Sequence, residues 1–274
     1  MVTGLANGRE LGQVPDMLQN KVAVITGASS GLGRAIAIRY AEEGASLILA
    51  DLNQEGGEHT LSLLPEAARA KAKFLKVDVT KEAEVEAAVA LAVSSFGRLD
   101  IMVANAGIGA PGFIAELSQA DFEKVIAVNL TGVFLCAKHA FRAMKKHGGS
   151  IITMASVAGL QGTMKLGGYG PSKAGVVQLT QTLALEGARY NIRAVSLAPV
   201  WTESPMVDGF VKGLRASHEE ATKRLTADIP LGRLGKPHEV AAAAAFFASD
   251  QASFITGIVV PLDGGHLAGR IPTL

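Results

Sequence analysis

Short runs of branched apolar residues recur along this chain between stretches of helical spacing, and few folds accept that rhythm. Lys21–Thr26 (KVAVIT) comes first, followed by Ser46–Asp51, Lys73–Asp78, Asp100–Asn105, Ser150–Met154, Ile192–Ala198 and Ile258–Pro261. Between them lie Gly31–Gly44, Gln54–Ala70 with a break at Pro65, Lys81–Phe96, Ser118–His147, Tyr169–Arg189 and Pro237–Ala248. Apolar runs without polar alternation are expected where a strand is buried on both faces. Strand–helix–strand units of this length build a parallel sheet wrapped by right-handed crossovers. The expectation is an α/β fold: a doubly wound parallel sheet of about seven strands with helices on both faces. Ser118–His147 reads as one long helix that opens on the capping pattern Ser118-Gln-Ala-Asp121.

One segment breaks the rhythm. Val200–Leu231 has no strand pattern and follows a strand end, the place where open α/β sheets bind ligands. It is the expected substrate lid. No internal repeat or low-complexity linker divides the rest, so residues 19–265 read as a single dinucleotide-binding and catalytic domain. Residues 1–18 read as a flexible N-terminal extension and 266–274 as a C-terminal tail.

Bulk properties narrow the function. The 274 residues carry a net charge of +1 and no basic tract, which argues against nucleic acid or an anionic membrane surface as partner. A single cysteine, Cys136, excludes an intramolecular disulfide framework and any cysteine-based metal cluster, and its apolar neighbours predict a buried, inert thiol. No metal is expected. No run reaches membrane-spanning length, and residues 1–18 lack the apolar core of a signal peptide, so a cytoplasmic location is expected.

The first strand runs into Thr26-Gly27-Ala-Ser-Ser-Gly31-Leu-Gly33 and then a helical pattern. Glycines in such a turn let backbone N–H groups approach a pyrophosphate, and the helix N-terminus adds positive potential. The spacing is Gly-x-x-x-Gly-x-Gly, so the ordinary dinucleotide fingerprint is not met literally. Asp51 ends the second strand, 18 residues after Gly33. A carboxylate there accepts hydrogen bonds from ribose hydroxyls and repels a 2′-phosphate. Neither Leu52 nor Ser30 offers that phosphate a cation. This pattern predicts NAD in preference to NADP; read alone, Asp51 is a turn residue.

A second cluster closes the fifth strand. Ser156 ends it, and a glycine-rich stretch leads to Tyr169-Gly-Pro-Ser-Lys173. Residues four apart on a helix share a face, so Lys173 would sit beside the Tyr169 phenol. A nearby cation favours the phenolate and brings its proton exchange toward neutral pH, as general acid–base catalysis requires. Ser156 would orient a carbonyl or alcohol oxygen. Alone, the same spacing describes a half-buried tyrosine and a solvated lysine.

With glycine loop, acidic strand end and Ser/Tyr/Lys trio together, the sequence resembles the classical short-chain dehydrogenase/reductase family from Gln19 to Gly265. The resemblance rests on Thr26-Gly27-x-x-x-Gly31-x-Gly33, Asp78-Val79, Asn105-Ala-Gly107, Asn129, Ser156, Tyr169-x-x-x-Lys173 and Pro199 in that order, with 13 residues from Ser156 to Tyr169. It implies a Rossmann-like sheet in the order 3-2-1-4-5-6-7. It implies Tyr169 as general acid or base, Ser156 on the substrate oxygen, Lys173 also on the nicotinamide ribose, and Asn129 holding a water in a proton relay. Cofactor contacts would come from Gly27, Ser29, Ser30, Gly31, Leu32, Gly33, Asp51, Leu52, Asp78, Val79, Asn105, Ala106, Gly107, Val128, Pro199, Val200, Thr202 and Ser204, with Asp78 and Val79 at the adenine. The chain departs from the family at Val200, where glycine usually follows the proline. Thr202 and Ser204 compete for the carboxamide, and Pro171 occupies the Tyr-x-x-x-Lys spacer.

Gly109, Val157, Leu160, Met164, Trp201, Met206 and Phe210 are expected to line an apolar substrate pocket that suits a small uncharged alcohol or ketone; the alternative is that they pack the lid. Lys212, Arg215, Lys223 and Arg224 on the lid read as solvated. The resemblance also suggests a homotetramer, with the Ala241–Ala245 run at one interface or in an ordinary buried helix. The function expected is an NAD-dependent alcohol dehydrogenase or ketone reductase. Its alternatives are an NADPH-dependent 3-oxoacyl-thioester reductase, which Asp51 speaks against, and a dinucleotide sensor, which would not need both Tyr169 and Lys173.

Overall fold

The computed structural model describes residues 16–213 and 217–269. Seven strands form one parallel sheet: β1 Val22–Thr26, β2 Ser46–Asp51, β3 Ala72–Lys76, β4 Ile101–Ala104, β5 Gly149–Met154, β6 Ile192–Pro199 and β7 Val259–Leu262. Their order is β3-β2-β1-β4-β5-β6-β7, as the resemblance implied. The helices are α1 Gly31–Glu42, α2 Gln54–Leu63, α3 Glu66–Arg69, α4 Glu82–Phe96, α5 Gln119–Ile126, α6 Gly132–Met144, α7 Tyr169–Gly187, α8 Pro205–Gly213, α9 His218–Thr226 and α10 Pro237–Ala248.

The central strands β1, β4, β5 and β6 are buried on both faces, which is why they lack polar alternation; the edge strands β3 and β7 are only partly covered. Val22 and Val24 of β1 join one core with Val85, Val89, Cys136 and Ala140, while Ala23 and Ile25 join the opposite core with Ile36, Tyr40 and Ala244. The two cores flank the sheet, with α4, α6 and α7 on one side and α1 and α10 on the other. Ala241, Ala244 and Ala245 face this second core, where α10 packs against α1 and the Tyr40 hydroxyl donates to the Ala244 carbonyl at 3.0 Å. Burial pushes the Cys136 thiol up to about 12, the inert state its neighbours predicted.

The expected helix over Ser118–His147 needs correction. It begins where predicted, with Ser118 Oγ accepting from Asp121 N at 3.0 Å, but a π turn over Ala127–Thr131 separates α5 from α6, and the helix ends at Met144. Such turns insert one residue into the helical ladder and recur at functional sites. Here the turn contains Asn129, whose amide bonds the main chain of another segment.

Chain ends differ in part from expectation. Residues 1–15 lie outside the described residues, but Leu18, assigned to the extension, is fully buried, and Met17 N donates to Glu43 at 2.8 Å. All seven strands run parallel, so their carboxyl ends share one edge. Chain direction across the sheet reverses between β1 and β4, the position at which doubly wound sheets open a crevice.

Candidate active site

At that crevice the loop after β1 turns on Gly27 (φ +67°) and Gly31 (φ +51°), left-handed conformations that favour glycine. Gly33 serves a different end. A Cβ there would lie 2.0 Å from the Gly27 carbonyl oxygen and 2.7 Å from the Asn105 Nδ2, so only glycine lets α1 start against the turn. Asn105, just past β4, pins the loop: its Nδ2 donates to the Thr26 carbonyl at 2.9 Å and to the Gly27 carbonyl at 3.3 Å. Thr26 Oγ1 in turn accepts from Asn105 N at 3.0 Å and Ala106 N at 3.2 Å.

Asp51 stands at the end of β2 and is fixed by two backbone donors, Ser29 N at 3.0 Å and Asn53 N at 2.9 Å. The nearby Arg34 guanidinium is held by other acceptors, donating to the Ser29 carbonyl and, at 3.0 Å, to Thr60 Oγ1. The carboxylate lies on the cleft wall, and among the described residues no cation is bonded to it.

The second cluster assembles from β5, β6 and α7. Ser156, two residues past β5, donates to the Pro199 carbonyl at 3.3 Å and accepts from Ala158 N at 3.2 Å. Tyr169 opens α7, and one turn on Lys173 is buried with its Nζ 5.5 Å from the tyrosine ring centroid. That ammonium donates to the Met154 carbonyl at 2.7 Å. Burial pushes Lys173 down to about 8. Burial also raises the Tyr169 phenol, with a hydrogen bond from Ser156 acting the other way. The lowering of the phenol expected from Lys173 is thus corrected: loss of solvent sets the direction, upward.

These clusters share a cleft of about 640 Å³. Its walls include Gly27, Ser29, Ser30, Gly31, Leu32, Asp51, Asn105, Ala106 and Gly107 at one end, and Ser156, Tyr169, Lys173, Pro199, Val200, Thr202 and Ser204 farther along. Val157, Met164, Trp201, Met206 and Phe210 line it too. Thr202 and Ser204 are both present, and each hydroxyl donates to a nearby main-chain carbonyl, Val200 O at 3.0 Å and Thr202 O at 3.1 Å.

Other predicted residues stand off the wall. Gly33 packs behind the loop, Leu52 is 58% exposed beside it, and Val128 and Val79 pack in the core around α4 and α6. Asp78 accepts from Thr80 N and Oγ1 at 2.9 and 2.7 Å, bonds that hold its carboxyl below the usual range. Leu160 opens onto an adjoining hollow, and Gly109 lies behind Phe210. Asn129 is fully buried, but its amide faces Ile108 (Oδ1 from Ile108 N at 2.8 Å, Nδ2 to Ile108 O at 2.9 Å) and Ser172 rather than the cleft.

The 200–231 segment supplies two helices, α8 and α9, around a small core of Val207, Val211, Ala221 and Leu234. Trp201 and Phe210 meet edge to face, centroids 5.4 Å apart, so these two line the cleft and pack the segment at once. Arg224 pairs with Glu220 at 2.5 Å, and Arg215 lies outside the described residues. Sequence reasoning missed Asp228 and His266 on the wall. The tail assigned from 266 onward instead begins inside the site, a return that no local pattern announces. Among the described residues no cluster of acidic, histidine or cysteine side chains could hold a metal ion, and no helix is long and apolar enough to cross a membrane.

A family model described as enoyl-(acyl carrier protein) reductase matches residues 27–266. Among curated proteins the chain is 41% identical over 250 residues to cis-4-hydroxycyclohexanecarboxylate dehydrogenase of Sinomonas cyclohexanicum, covering 90% of this chain and 97% of the relative. The crystal structure of a levodione reductase superposes with a TM-score of 0.89 at 39% identity, over 92% of this chain and 100% of that one. A short-chain type dehydrogenase/reductase from Mycobacterium marinum superposes with a TM-score of 0.86 at 32% identity, over 93% and 98%.

Proposed function

The chain belongs to the short-chain dehydrogenase/reductase family, and from that premise we propose that it is an NAD-dependent oxidoreductase interconverting a secondary alcohol and a ketone. One observation carries the reading: Ser156, Tyr169 and Lys173 meet in the same cleft as the glycine loop and Asp51. The loop fits a dinucleotide: it lies on the cleft wall at the N-terminus of α1, a Cβ on Gly31 would lie 3.4 Å from Ser204 Cβ of the same wall, and Asp51 presents acceptors for ribose hydroxyls. When bound, the nicotinamide supplies the hydride acceptor or donor.

The protein supplies the proton. In ketone reduction Tyr169 donates its phenolic proton to the substrate oxygen while Ser156 Oγ orients that oxygen; in alcohol oxidation the phenolate takes the hydroxyl proton, with Ser156 still on the same oxygen. A lysine with a pKa of about 8 still carries its charge at neutral pH, so Lys173 favours the phenolate as it forms. Asn129 holds the corner behind the lysine, where a Cβ on Gly107 would lie 3.3 Å from its Oδ1 and 3.5 Å from Lys173 Nζ. Helices α8 and α9 act as the lid over the substrate end. We read the assembly as a homotetramer: Leu185 and Phe254 are 82% and 102% exposed, apolar area that a partner subunit would cover, and light scattering on the purified protein tests it.

The test of this reading is dinucleotide reduction with NAD and with NADP across a panel of secondary alcohols. Turnover is expected with NAD. Asp51→Ala should then improve NADP relative to NAD by about tenfold or more in kcat/KM, since a carboxylate that repels a 2′-phosphate is gone. NADP preference in the unaltered protein would overturn the cofactor assignment. A second reading, NADPH-dependent reduction of a thioester-borne 3-oxoacyl group, is favoured by the acyl-carrier description of the matched family, and 3-oxoacyl thioesters belong in the same panel.

A further inference from the structure

Three segments distant in sequence meet on the wall of the cleft away from the glycine loop. Gln161 comes from the loop after β5, Asp228 follows α9, and His266 follows β7. His266 Nδ1 lies 3.1 Å from the Asp228 main-chain oxygen, and its Nε2 lies 2.5 Å from Gln161 Nε2.

The chemistry of these contacts fixes their protons. A carbonyl oxygen only accepts, so Nδ1 carries the hydrogen; the Gln161 NH2 only donates, so His266 Nε2 accepts. Gln161 points its NH2 at His266. That sets the amide orientation and leaves Gln161 its second N–H and its Oε1, neither of which bonds another described side chain. An exposed glutamine aimed by a histidine stands on a wall that Met164, Trp201, Met206 and Phe210 also line, so its amide is set beside apolar side chains. A few placed polar groups are what orient a ligand among apolar ones.

We propose that Gln161, positioned by His266, binds a second, uncharged oxygen function of the substrate, a hydroxyl or ketone remote from the reacting carbon. An amide that can both donate and accept suits either group. Asp228 is itself a residue of this wall and brings a carboxylate to its neighbourhood, which favours a neutral group there over a second carboxylate. The proposal rests on the alcohol–ketone reading and specifies its substrate class: diols and hydroxyketones.

The experiment compares cyclohexanone, 4-hydroxycyclohexanone and 4-oxocyclohexanecarboxylate as substrates with NADH, in the unaltered protein, Gln161→Leu and His266→Phe. Calorimetric titration of cyclohexane-1,4-diol and cyclohexanol into the NADH-loaded proteins gives a readout that needs no turnover. The hydroxyketone should be favoured over cyclohexanone by about tenfold in KM, roughly one well-made hydrogen bond. Gln161→Leu should bring that ratio to about one with the change in KM rather than kcat, and His266→Phe should give part of the loss. The diol-over-cyclohexanol affinity ratio should fall in parallel. Equal ratios in the unaltered protein and Gln161→Leu, or a preference for the oxo acid, would overturn the subsite. Diol affinity that depends on Gln161 with no reduction of any ketone would support the subsite and sink the oxidoreductase reading instead.

Discussion

Tyr169→Phe is expected to lower turnover with any accepted alcohol by a factor of about 10²–10⁴, the usual contribution of a positioned acid or base. The substitution keeps the ring beneath Lys173 and removes only the phenolic O–H, so the fold and dinucleotide affinity should persist. The pH profile adds a second check. Burial raises the Tyr169 phenol, so its basic form is scarce at neutral pH and alcohol oxidation should climb as pH rises. Ketone reduction needs the protonated phenol and should hold through neutral pH, falling only on the alkaline side. In Tyr169→Phe the residual rate should lose the tyrosine-dependent limb. A variant within about threefold of the unaltered rate would move the proton to another group.

Gly33→Ala carries the largest expected effect on the scaffold. The added methyl would stand 2.0 Å from a backbone oxygen, which no side-chain rotation relieves. Either α1 shifts or the loop opens, and overpacking of this kind costs about 3 kcal/mol or more. For a chain of this size that corresponds to a fall on the order of 6–12 °C in Tm, together with loss of dinucleotide affinity. Gly209→Ala is the matched control. A Cβ at Gly209 meets nothing within 4 Å, and its position inside α8 makes alanine neutral or slightly stabilising. Melting curves of the two variants, with and without NAD, check both statements.

The features legible in the sequence are those whose physics is local. The central strands showed themselves because both of their faces are buried, as in β1, where Val22, Ala23, Val24 and Ile25 leave no polar alternation. The glycine loop and the Tyr169–Lys173 pair showed themselves because turn geometry and helix spacing constrain residues a few positions apart. Hidden features depend on what meets across the fold. Nothing near His266 indicates that it reaches back to Gln161, 105 residues earlier. Asn129 reads as a helix-interior amide until Ile108 is seen to bond both of its polar ends. The pKa of Tyr169 followed the same pattern: its neighbour Lys173 was visible, the desolvation that raises the phenol was not.

The π turn at Ala127–Thr131 has a consequence for how this chain can vary. Each helical residue advances the side chains by about 100°, so one inserted residue sets the phase between the helix on either side of it. Before the turn, Val125 is the buried residue of α5, and within it Asn129 reaches Ile108; beyond it, Val133, Cys136, Ala137 and Ala140 join the core beside the sheet. Deleting a single residue there would restore a regular helix and rotate one of these faces away from its partner. The segment behaves as a keyed joint: substitutions can be absorbed on either side, while a change in length by one residue must be answered by another of opposite sign nearby.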